Sequence, residues 1–344
     1  MKHIFIVHSH ITYLSALGVV MTEKIAPTEV LILSESYNFP DAPIPICQTK
    51  KLAITGKFVF TPYKRMDKII KESIGEAPFI AYIPVFHYMG KYLMTHPQCT
   101  KFNFTEEGFA AYYDFFSYKL YSAYAIGPFR FSRGLSGLKQ RLRPVLNAIK
   151  GHTPKIEAIP TFYGAYAADP NVTFYGFHEL SYYLTADKVV VNLRDVFTHY
   201  RMKAKHNLTG SHIWIGNPDI LSKCNIAVEE YIEAIRSGCV PKLRSEGVTK
   251  ISIKHHYREL PRQRKLITEM FFNEGFEVEE LSDDTILELE LANATNCKLY
   301  GVMSSLQVYG VILGHESFSI ANHIKNYSIY FLNAKNISSL IQFL

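Results

Sequence analysis

Short apolar runs separated by amphipathic segments follow one another along most of the chain. In the first half, the runs that predict strands lie at residues 3–8, 30–33, 57–60, 79–85 and 102–108. Segments with a helical pattern separate them, at residues 12–21, 64–76 and 88–96. Apolar runs of this length are typical of strands buried on both faces, as in a parallel sheet covered by helices. The first half therefore predicts a doubly wound α/β domain.

The same alternation returns in the second half. A strand followed by a turn is predicted at residues 212–218, and further strands at 248–254, 276–278 and 297–302, with strand and loop alternating over 318–330. Its predicted helices lie at residues 226–238, 263–274, 285–293 and 338–344, and another begins at Ser304. Two domains are expected, because 344 residues are too many for one ordinary core.

A less regular region joins the two series. A helical aromatic stretch over residues 109–124 leads into a basic segment and then into loops rich in Pro, Gly and Tyr. The domain boundary is expected between residues 155 and 190, which gives domains of 1–175 and 176–344. The predicted fold is two doubly wound, Rossmann-like domains that face a central cleft. Because ligands of open α/β sheets bind at the carboxyl ends of strands, the candidate sites follow the predicted strands.

Composition indicates a folded protein in a reducing compartment. Hydrophobic residues make up 48% of the chain and charged residues 20%. The five cysteines form no C-x-x-C pair, which favours reduced thiols and a cytoplasmic protein. The apolar run at the N-terminus is too short for a signal peptide, and no run approaches the roughly 20 residues of a membrane span. Any membrane contact is therefore expected to be peripheral.

Positive charge is concentrated in the middle of the chain. Between Asp114 and Glu157 there are eight Lys and Arg residues and no acidic residue. Leucines recur at helical spacing within this window, so residues 130–150 predict a basic amphipathic helix. Such a helix suits an anionic inner membrane surface or an anionic substrate, although a solvated helix face would have the same pattern. No zinc-finger spacing or recognition helix indicates nucleic acid as a partner.

Two adjacent carboxylates lie in the predicted strand and turn at 102–108, after its alternating aromatic and polar residues. Glu106 and Glu107 precede Gly108, which allows a sharp turn or a positive φ. Each carboxylate disfavours the charge of the other, and a carboxylate tuned in this way at a strand end can act as a general base. A solvated acidic loop is the alternative interpretation.

Two further polar groups follow strands of the second half. Lys254, His255 and His256 come directly after the strand residues 248–253, where they could grip a phosphate and donate a proton to it. Ser304 and Ser305 open a helix, whose free N–H groups bind anions. Ordinary surface histidines and an ordinary N-cap serine explain the same residues. A zinc site is disfavoured, because adjacent side chains on a strand face opposite ways and no third ligand is near.

Taken together and in this order, the three groups resemble the motifs of bacterial sialyltransferases, in particular the polysialyltransferase and lipooligosaccharide sialyltransferase groups. That pattern is an acidic pair followed by Gly, a Lys-x-His-Pro segment and a Ser-Ser pair. The chain departs from it at Tyr257, where the family has proline, and spacing from Lys254 favours His256 as the functional histidine. The opening at residues 4–9 is also similar to the family's first strand and loop. The resemblance spans most of the chain.

The resemblance implies a GT-B fold and an inverting transfer of sialic acid, or a related nonulosonic acid, from a CMP-sugar donor to a glycan acceptor. Glu106 or Glu107 would be the base, and His256 would assist the departing phosphate. The donor would be held by residues in the second half: Lys254, His255, Ser304, Ser305, Glu288, Gly216 and Asn217. No cofactor and no metal are implied, in agreement with the absence of an Asp-x-Asp motif. The acceptor would be a bacterial surface glycan of a capsule or lipooligosaccharide.

Two alternatives stay open on the sequence alone. The chain could be a GT-B transferase that uses a different nucleotide sugar, which the missing proline favours. It could also be a non-catalytic protein that binds glycans or membranes, since its 23 Tyr and 23 Phe residues suit stacking on sugars.

Overall fold

A computed structural model describes residues 1–34, 37–39, 42–48, 61–84, 88–112, 163–182, 185, 187–218 and 220–324. The chain divides into two compact units, Met1–Val196 and Phe197–Leu344. Each unit contains one parallel sheet with helices, as the alternating pattern of apolar runs predicts.

The first unit contains seven parallel strands in the order β3-β2-β1-β4-β5-β6-β7. They are β1 (Lys2–Val7), β2 (Val30–Ser34), β3 (Ile46–Gln48), β4 (Phe79–Pro84), β5 (Cys99–Thr105), β6 (Phe174–Gly176) and β7 (Lys188–Val190). The described helices that connect them are α1 (His10–Thr22), α2 (Thr61–Ile74) and α3 (Tyr88–Met94), and 3₁₀ turns lie at Pro27–Glu29, Phe109–Tyr112 and Tyr163–Tyr166. Helix α4 (Leu193–His199) spans the division between the units.

The second unit contains five parallel strands in the order β10-β9-β8-β11-β12. They are β8 (His212–Ile215), β9 (Lys250–Lys254), β10 (Glu277–Glu280), β11 (Lys298–Gly301) and β12 (Glu316–Ser319). Its described helices are α5 (Ile220–Cys224), α6 (Val228–Gly238), α7 (Val240–Ser245), α8 (Pro261–Asn273), α9 (Leu287–Ala292) and α10 (Ser305–Ile312), followed by a 3₁₀ turn at Ala321–His323.

The central strands and helices supply the apolar core of each unit. In the first unit, every residue of β1 from Ile4 to Val7 is at most 1% exposed, and α1 is buried continuously from Ile11 to Val20. In the second unit, Trp214 of β8 is fully buried and its ring lies 5.8 Å from that of Phe271 on α8. Continuous burial explains why these segments are apolar throughout and lack an alternating pattern.

In both sheets the strand order reverses beside the first strand. β1 pairs with β2 on one edge and with β4 on the other, and β8 lies between β9 and β11 in the same way. Connections that leave in opposite directions open a crevice at the carboxyl ends of the two central strands, where ligands bind in doubly wound folds. This topology draws attention to the residues that follow β1, β8 and their neighbours.

Most of the predicted elements appear close to their predicted positions. Four predictions lie outside the described residues: the strand at 57–60, the helix at 338–344, the basic helix within 130–150 and most of the 109–124 stretch. Strands β3, β6 and β7 were not predicted, because three residues each are too few to give a clear pattern.

The structure places the division of the chain later than the predicted boundary at 175/176. β6 and β7 pair with each other and with β5, so that both belong to the first sheet. The first unit accordingly continues to Val196. Among the described helices, none has the length and apolar content that crossing a membrane requires.

Candidate active site

Glu106, the first carboxylate after β5, is enclosed by the first unit. The residue is 0% exposed, and its Oε2 accepts a hydrogen bond of 2.7 Å from the backbone N–H of Phe177. Its own backbone N–H donates to Ser15 Oγ of α1 at 3.1 Å. These contacts join β5 to the segment after β6 and to α1. Glu106 therefore holds three elements together.

Two buried tyrosines lie beside Glu106. Burial, followed by the charge of Glu106, raises the pKa of Tyr112 well above its ordinary value, and the same two causes raise the pKa of Tyr182. Both phenols therefore stay protonated and can only stabilise the carboxylate as neutral groups.

Glu107 is placed differently from its neighbour. Its side chain is 21% exposed, and Oε1 lies 3.1 Å from Nε2 of His8. The other oxygen, Oε2, is buried and has no hydrogen-bond partner among the described residues. Burial raises the pKa of Glu107, and the hydrogen bond and charge of His8 act in the opposite direction. A carboxylate with one oxygen held and the other without a partner is suited to accept a proton.

Local backbone structure fixes both members of the His8–Glu107 pair. Ser9 caps α1, and Thr12 Oγ1 accepts hydrogen bonds of 3.0 Å from the backbone N–H groups of His8 and Ser9. At the other side, Gly108 has φ 97°, a conformation that residues with a side chain rarely adopt. The capped helix start and the glycine turn thus set the positions from which the two side chains meet.

In the second unit, three neighbouring strand ends meet. The backbone N–H of Gly216, after β8, donates to the carbonyl of Lys254 at the end of β9, at 3.0 Å. The side-chain amide of Asn217 donates to the carbonyl of Met303, after β11, at 3.2 Å. The ends of β8, β9 and β11, where the predicted residues of the second half lie, are thus brought to one edge of one sheet.

A buried carboxylate, that of Glu259, connects these strand ends. Its Oε2 lies 3.1 Å from both Nδ1 of His255 and the backbone nitrogen of His256, and its Oε1 accepts from the amide of Gln263 at 3.1 Å. The same amide group lies 3.2 Å from the carbonyl of Asn217. We call Glu259, its three partners and Asn217 the Glu259 network.

Gly216 is needed because the carboxylate of Glu259 lies against its Cα. A Cβ added at this position would lie 2.3 Å from Oε2, with the carboxyl carbon and Oε1 both at 2.7 Å. Any side chain would therefore push the carboxylate out of the Glu259 network.

The two adjacent histidines have different environments. His255 is 3% exposed, and its ring contacts Glu259 through Nδ1. His256 is half-buried, stacks on the ring of Tyr257 with centroids 4.6 Å apart, and accepts the backbone N–H of Arg258 on Nδ1 at 3.1 Å. Since Nδ1 accepts, the proton of the neutral ring is on Nε2. His256 is thus prepared to donate through Nε2.

Lys254 and Glu288 lie within the fold near one another. Lys254 Nζ donates to the carbonyls of Ser282 at 2.6 Å and Asp283 at 3.0 Å, and burial lowers its pKa. Glu288 is 7% exposed, and burial raises its pKa while the charge of Lys254 lowers it. Lys254, Glu288 and His255 are all buried. Their direct contact with a donor stays a prediction, and burial does not favour it.

Ser304 is the N-cap of α10, as predicted. Its Oγ accepts from the backbone N–H of Gln307 at 3.4 Å, and both Ser304 and Ser305 are half-buried. The start of α10 adjoins Met303, to which Asn217 donates. The serine pair is therefore joined to the other two strand ends.

Arg264 of α8 fixes the backbone around His256. Its guanidinium donates to both carboxylate oxygens of Asp283 at 3.0 Å and to the carbonyl of His256 at 2.9 Å. A pocket of about 630 Å³ opens on this side of α8. Its lining is Tyr257, Glu259, Pro261, Arg264, Lys265, Thr268, Glu269 and Glu280.

Glu259, Gln263 and His8 have no role in the sequence interpretation, although each contacts a predicted site residue. The spacing of four between His255, Glu259 and Gln263 was a usable signal, but the Pro261 that starts α8 obscures a helical pattern across them. Within the described residues, no group of three or more His, Cys, Asp or Glu side chains is arranged to hold a metal ion.

Two parallel α/β units with polar groups at their switch points define the class of fold. The chain resembles the putative UDP-N-acetylglucosamine 2-epimerase of Listeria monocytogenes with a TM-score of 0.52, at 11% identity over 100% of this chain and 91% of that one. It resembles S. aureus MnaA, solved with UDP, equally well, at 11% identity over 96% and 86%. A Photobacterium 2,6-sialyltransferase, solved with CMP and lactose, gives 0.50 at 12% identity over 89% and 68%. These likenesses confirm the predicted GT-B fold class.

The family follows from the sequence. The model of the family described as Alpha-2,8-polysialyltransferase (POLYST) matches residues 3–317. The protein belongs to this family, which makes it a glycosyltransferase with a role in sialyl transfer and confirms the resemblance drawn from the motifs. A comparison with curated protein sequences finds no match.

Proposed function

We propose that the protein transfers sialic acid, or a related nonulosonic acid, from a CMP-sugar to a bacterial surface glycan with inversion at the anomeric carbon. The observation that carries this proposal is the carboxylate of Glu107, with Oε1 held by His8 and Oε2 buried without a partner among the described residues. Glu107, rather than Glu106, is the proposed base, because Glu106 is fully enclosed and already accepts the N–H of Phe177.

The proposed reaction is a single displacement. Glu107 removes the proton of the acceptor hydroxyl, whose oxygen forms the new bond to the anomeric carbon. The bond from that carbon to the phosphate oxygen breaks, and CMP departs with the electron pair. His256 donates through Nε2 to the departing phosphate, which gains negative charge in the transition state. A neutral histidine that donates a hydrogen bond is sufficient here, since the phosphate is a good leaving group.

The remaining roles follow from the strand ends of the second unit. Ser304 and Ser305 offer hydroxyls and the free N–H groups of α10 to the phosphate. Gly216 and Asn217 lie at the switch point beside them and are proposed to contact the nucleotide. Within this proposal, the first unit supplies the base and the second unit holds the donor.

Release of CMP from CMP-sialic acid tests the proposal. Glu107→Gln removes the base while keeping the shape of the side chain, so kcat should fall by about 10²- to 10⁴-fold. The matched control is Glu72→Gln, because the Glu72 side chain is 62% exposed on α2 and has no predicted role in the site. If Glu107→Gln releases CMP and forms sialylated product as fast as the control, Glu107 is not the base.

Tyr257 favours a second candidate, a GT-B transferase with a different nucleotide donor. This residue replaces the proline of the related motif, is 72% exposed and stacks on His256. Comparing the thermal stabilisation of the protein by CMP, UDP and GDP separates the candidates, because a nucleotide that binds the folded state raises Tm. Stabilisation by UDP or GDP but not by CMP would favour the second candidate.

A further inference from the structure

His8 lies at the switch point of the first sheet, directly after β1, and contacts Glu107. Its Nε2 lies 3.1 Å from Oε1 of Glu107. A carboxylate only accepts hydrogen bonds when it is ionised, so His8 is the donor in this pair. The contact leaves the second oxygen of the carboxylate for another group.

A hydrogen bond also holds the backbone of His8. Its N–H donates to Thr12 Oγ1, which also takes part in the capping box of α1. The same helix holds the backbone of Glu106 through Ser15. Helix α1 thus fixes the two ends of the His8–Glu107 contact, which limits the rotation of the carboxylate.

We propose that His8 is a positioning residue that orients the Glu107 carboxylate and directs Oε2 toward the acceptor hydroxyl. This inference rests on the proposed function, in which Glu107 is the base. His8 does not exchange a proton with substrate; it keeps one carboxylate oxygen engaged. The other oxygen is then held at the angle that proton transfer requires.

The groups around Glu107 determine the expected pH dependence. Among the described residues, those that face it are His8 in contact, the buried phenol of Tyr182 and the adjacent carboxylate of Glu106. Of these, His8 donates to the charged form of Glu107. Removing that donor raises the pKa of Glu107, so that the base ionises only at higher pH.

His8→Asn and His8→Gln form a matched pair of variants. The amide nitrogen of Gln reaches about as far as Nε2 of histidine, whereas the amide of Asn is shorter by one methylene. His8→Asn should lower kcat by about 10²-fold, the order expected when a reacting group is misplaced by about 1 Å. It should also move the acid limb of the pH profile of kcat/KM to higher pH. His8→Gln should keep most of kcat and leave the acid limb in place.

The same measurements in a Glu107→Gln background decide through which residue His8 acts. There, His8→Asn should cause no further loss of CMP release, because the group it orients is gone. Equal kcat and equal acid limbs for His8→Asn and His8→Gln would overturn the inference. A further loss in the Glu107→Gln background would also overturn it. Full activity of Glu107→Gln alone would instead refute the assigned base.

Thermal unfolding separates positioning from folding. Both His8 substitutions replace a side chain that is 28% exposed, so their Tm values should lie close to each other. A loss of activity in His8→Asn that follows its Tm, and that appears equally in His8→Gln, would indicate a structural role only.

Discussion

At the scale of single residues, adjacent side chains of one chemical type take different roles. Glu106 is enclosed while Glu107 borders the surface, and His255 is enclosed while His256 is half-buried. In each pair the first residue is buried and the second is half-buried. The sequence did not distinguish Glu106 from Glu107, and it favoured His256 over His255 only through its spacing from Lys254. Burial depends on contacts with residues that are distant in sequence, such as Phe177 for Glu106.

Glu106→Ala should lower the stability of the fold and not only the rate of the reaction. The substitution leaves the buried N–H of Phe177 without its acceptor, which costs about 1–3 kcal/mol of unfolding free energy. Urea unfolding monitored by circular dichroism measures the loss. Glu72→Ala, at an exposed position, is the control and should change the midpoint little. Equal midpoints for the two variants would show that the Phe177 contact contributes nothing.

At the scale of secondary-structure elements, short connections after parallel strands hold the proposed site residues. Residues after β8, β9 and β11 meet through the Glu259 network, and residues after β1 and β5 meet through His8 and Glu107. The order of apolar runs predicted the strands that bring them together. It did not predict Glu259, whose contacts depend on how the loop after β9 folds back against Gly216.

Gly216→Ala tests this close packing. Its Cβ would clash with the Glu259 carboxylate and displace it, so the variant should lose CMP affinity and stability by roughly 1–3 kcal/mol. In a Glu259→Ala background the clash is absent, and adding Gly216→Ala should cost much less. Thermal shift with CMP and isothermal titration measure both quantities. Strictly additive effects would show that the two residues do not act through this contact.

At the scale of the whole molecule, the alternation of strands and helices predicted two α/β domains, and the motifs predicted the family. The pattern failed where strands are three residues long, and the boundary was placed too early for the same reason. In the second unit, an ion-pair cluster surrounds Glu246. Glu246 accepts a hydrogen bond from Tyr300 at 2.8 Å and pairs with Lys242 and Lys298 at 2.7 and 3.4 Å.

Because of Glu246, the free energy of unfolding should depend on pH in the acid range. Burial opposes its ionisation, but hydrogen bonds from Lys242 and Tyr300 and the charge of Lys298 lower its pKa from 4.5 to about 2. A lowered pKa stabilises the fold above the unfolded value of 4.5, and this stability is lost as pH falls toward about 2. Glu246→Gln should therefore unfold more easily than the natural chain at pH 7. A stability difference that stays constant from pH 7 to pH 2 would contradict this explanation.

The repeated switch-point topology has a consequence for redesign. Strands β9 and β11 each pair with β8, and every residue of the three strands after the first is buried, whereas Tyr257, Arg258 and Leu260 after β9 are exposed. Exposed connecting residues tolerate substitution far better than strand interiors do. Under the proposed function, libraries that vary these three positions while keeping Glu259 and Gly216 fixed are expected to alter the preference for a sugar nucleotide without rebuilding the sheet, which makes this short segment a starting point for evolving new specificities.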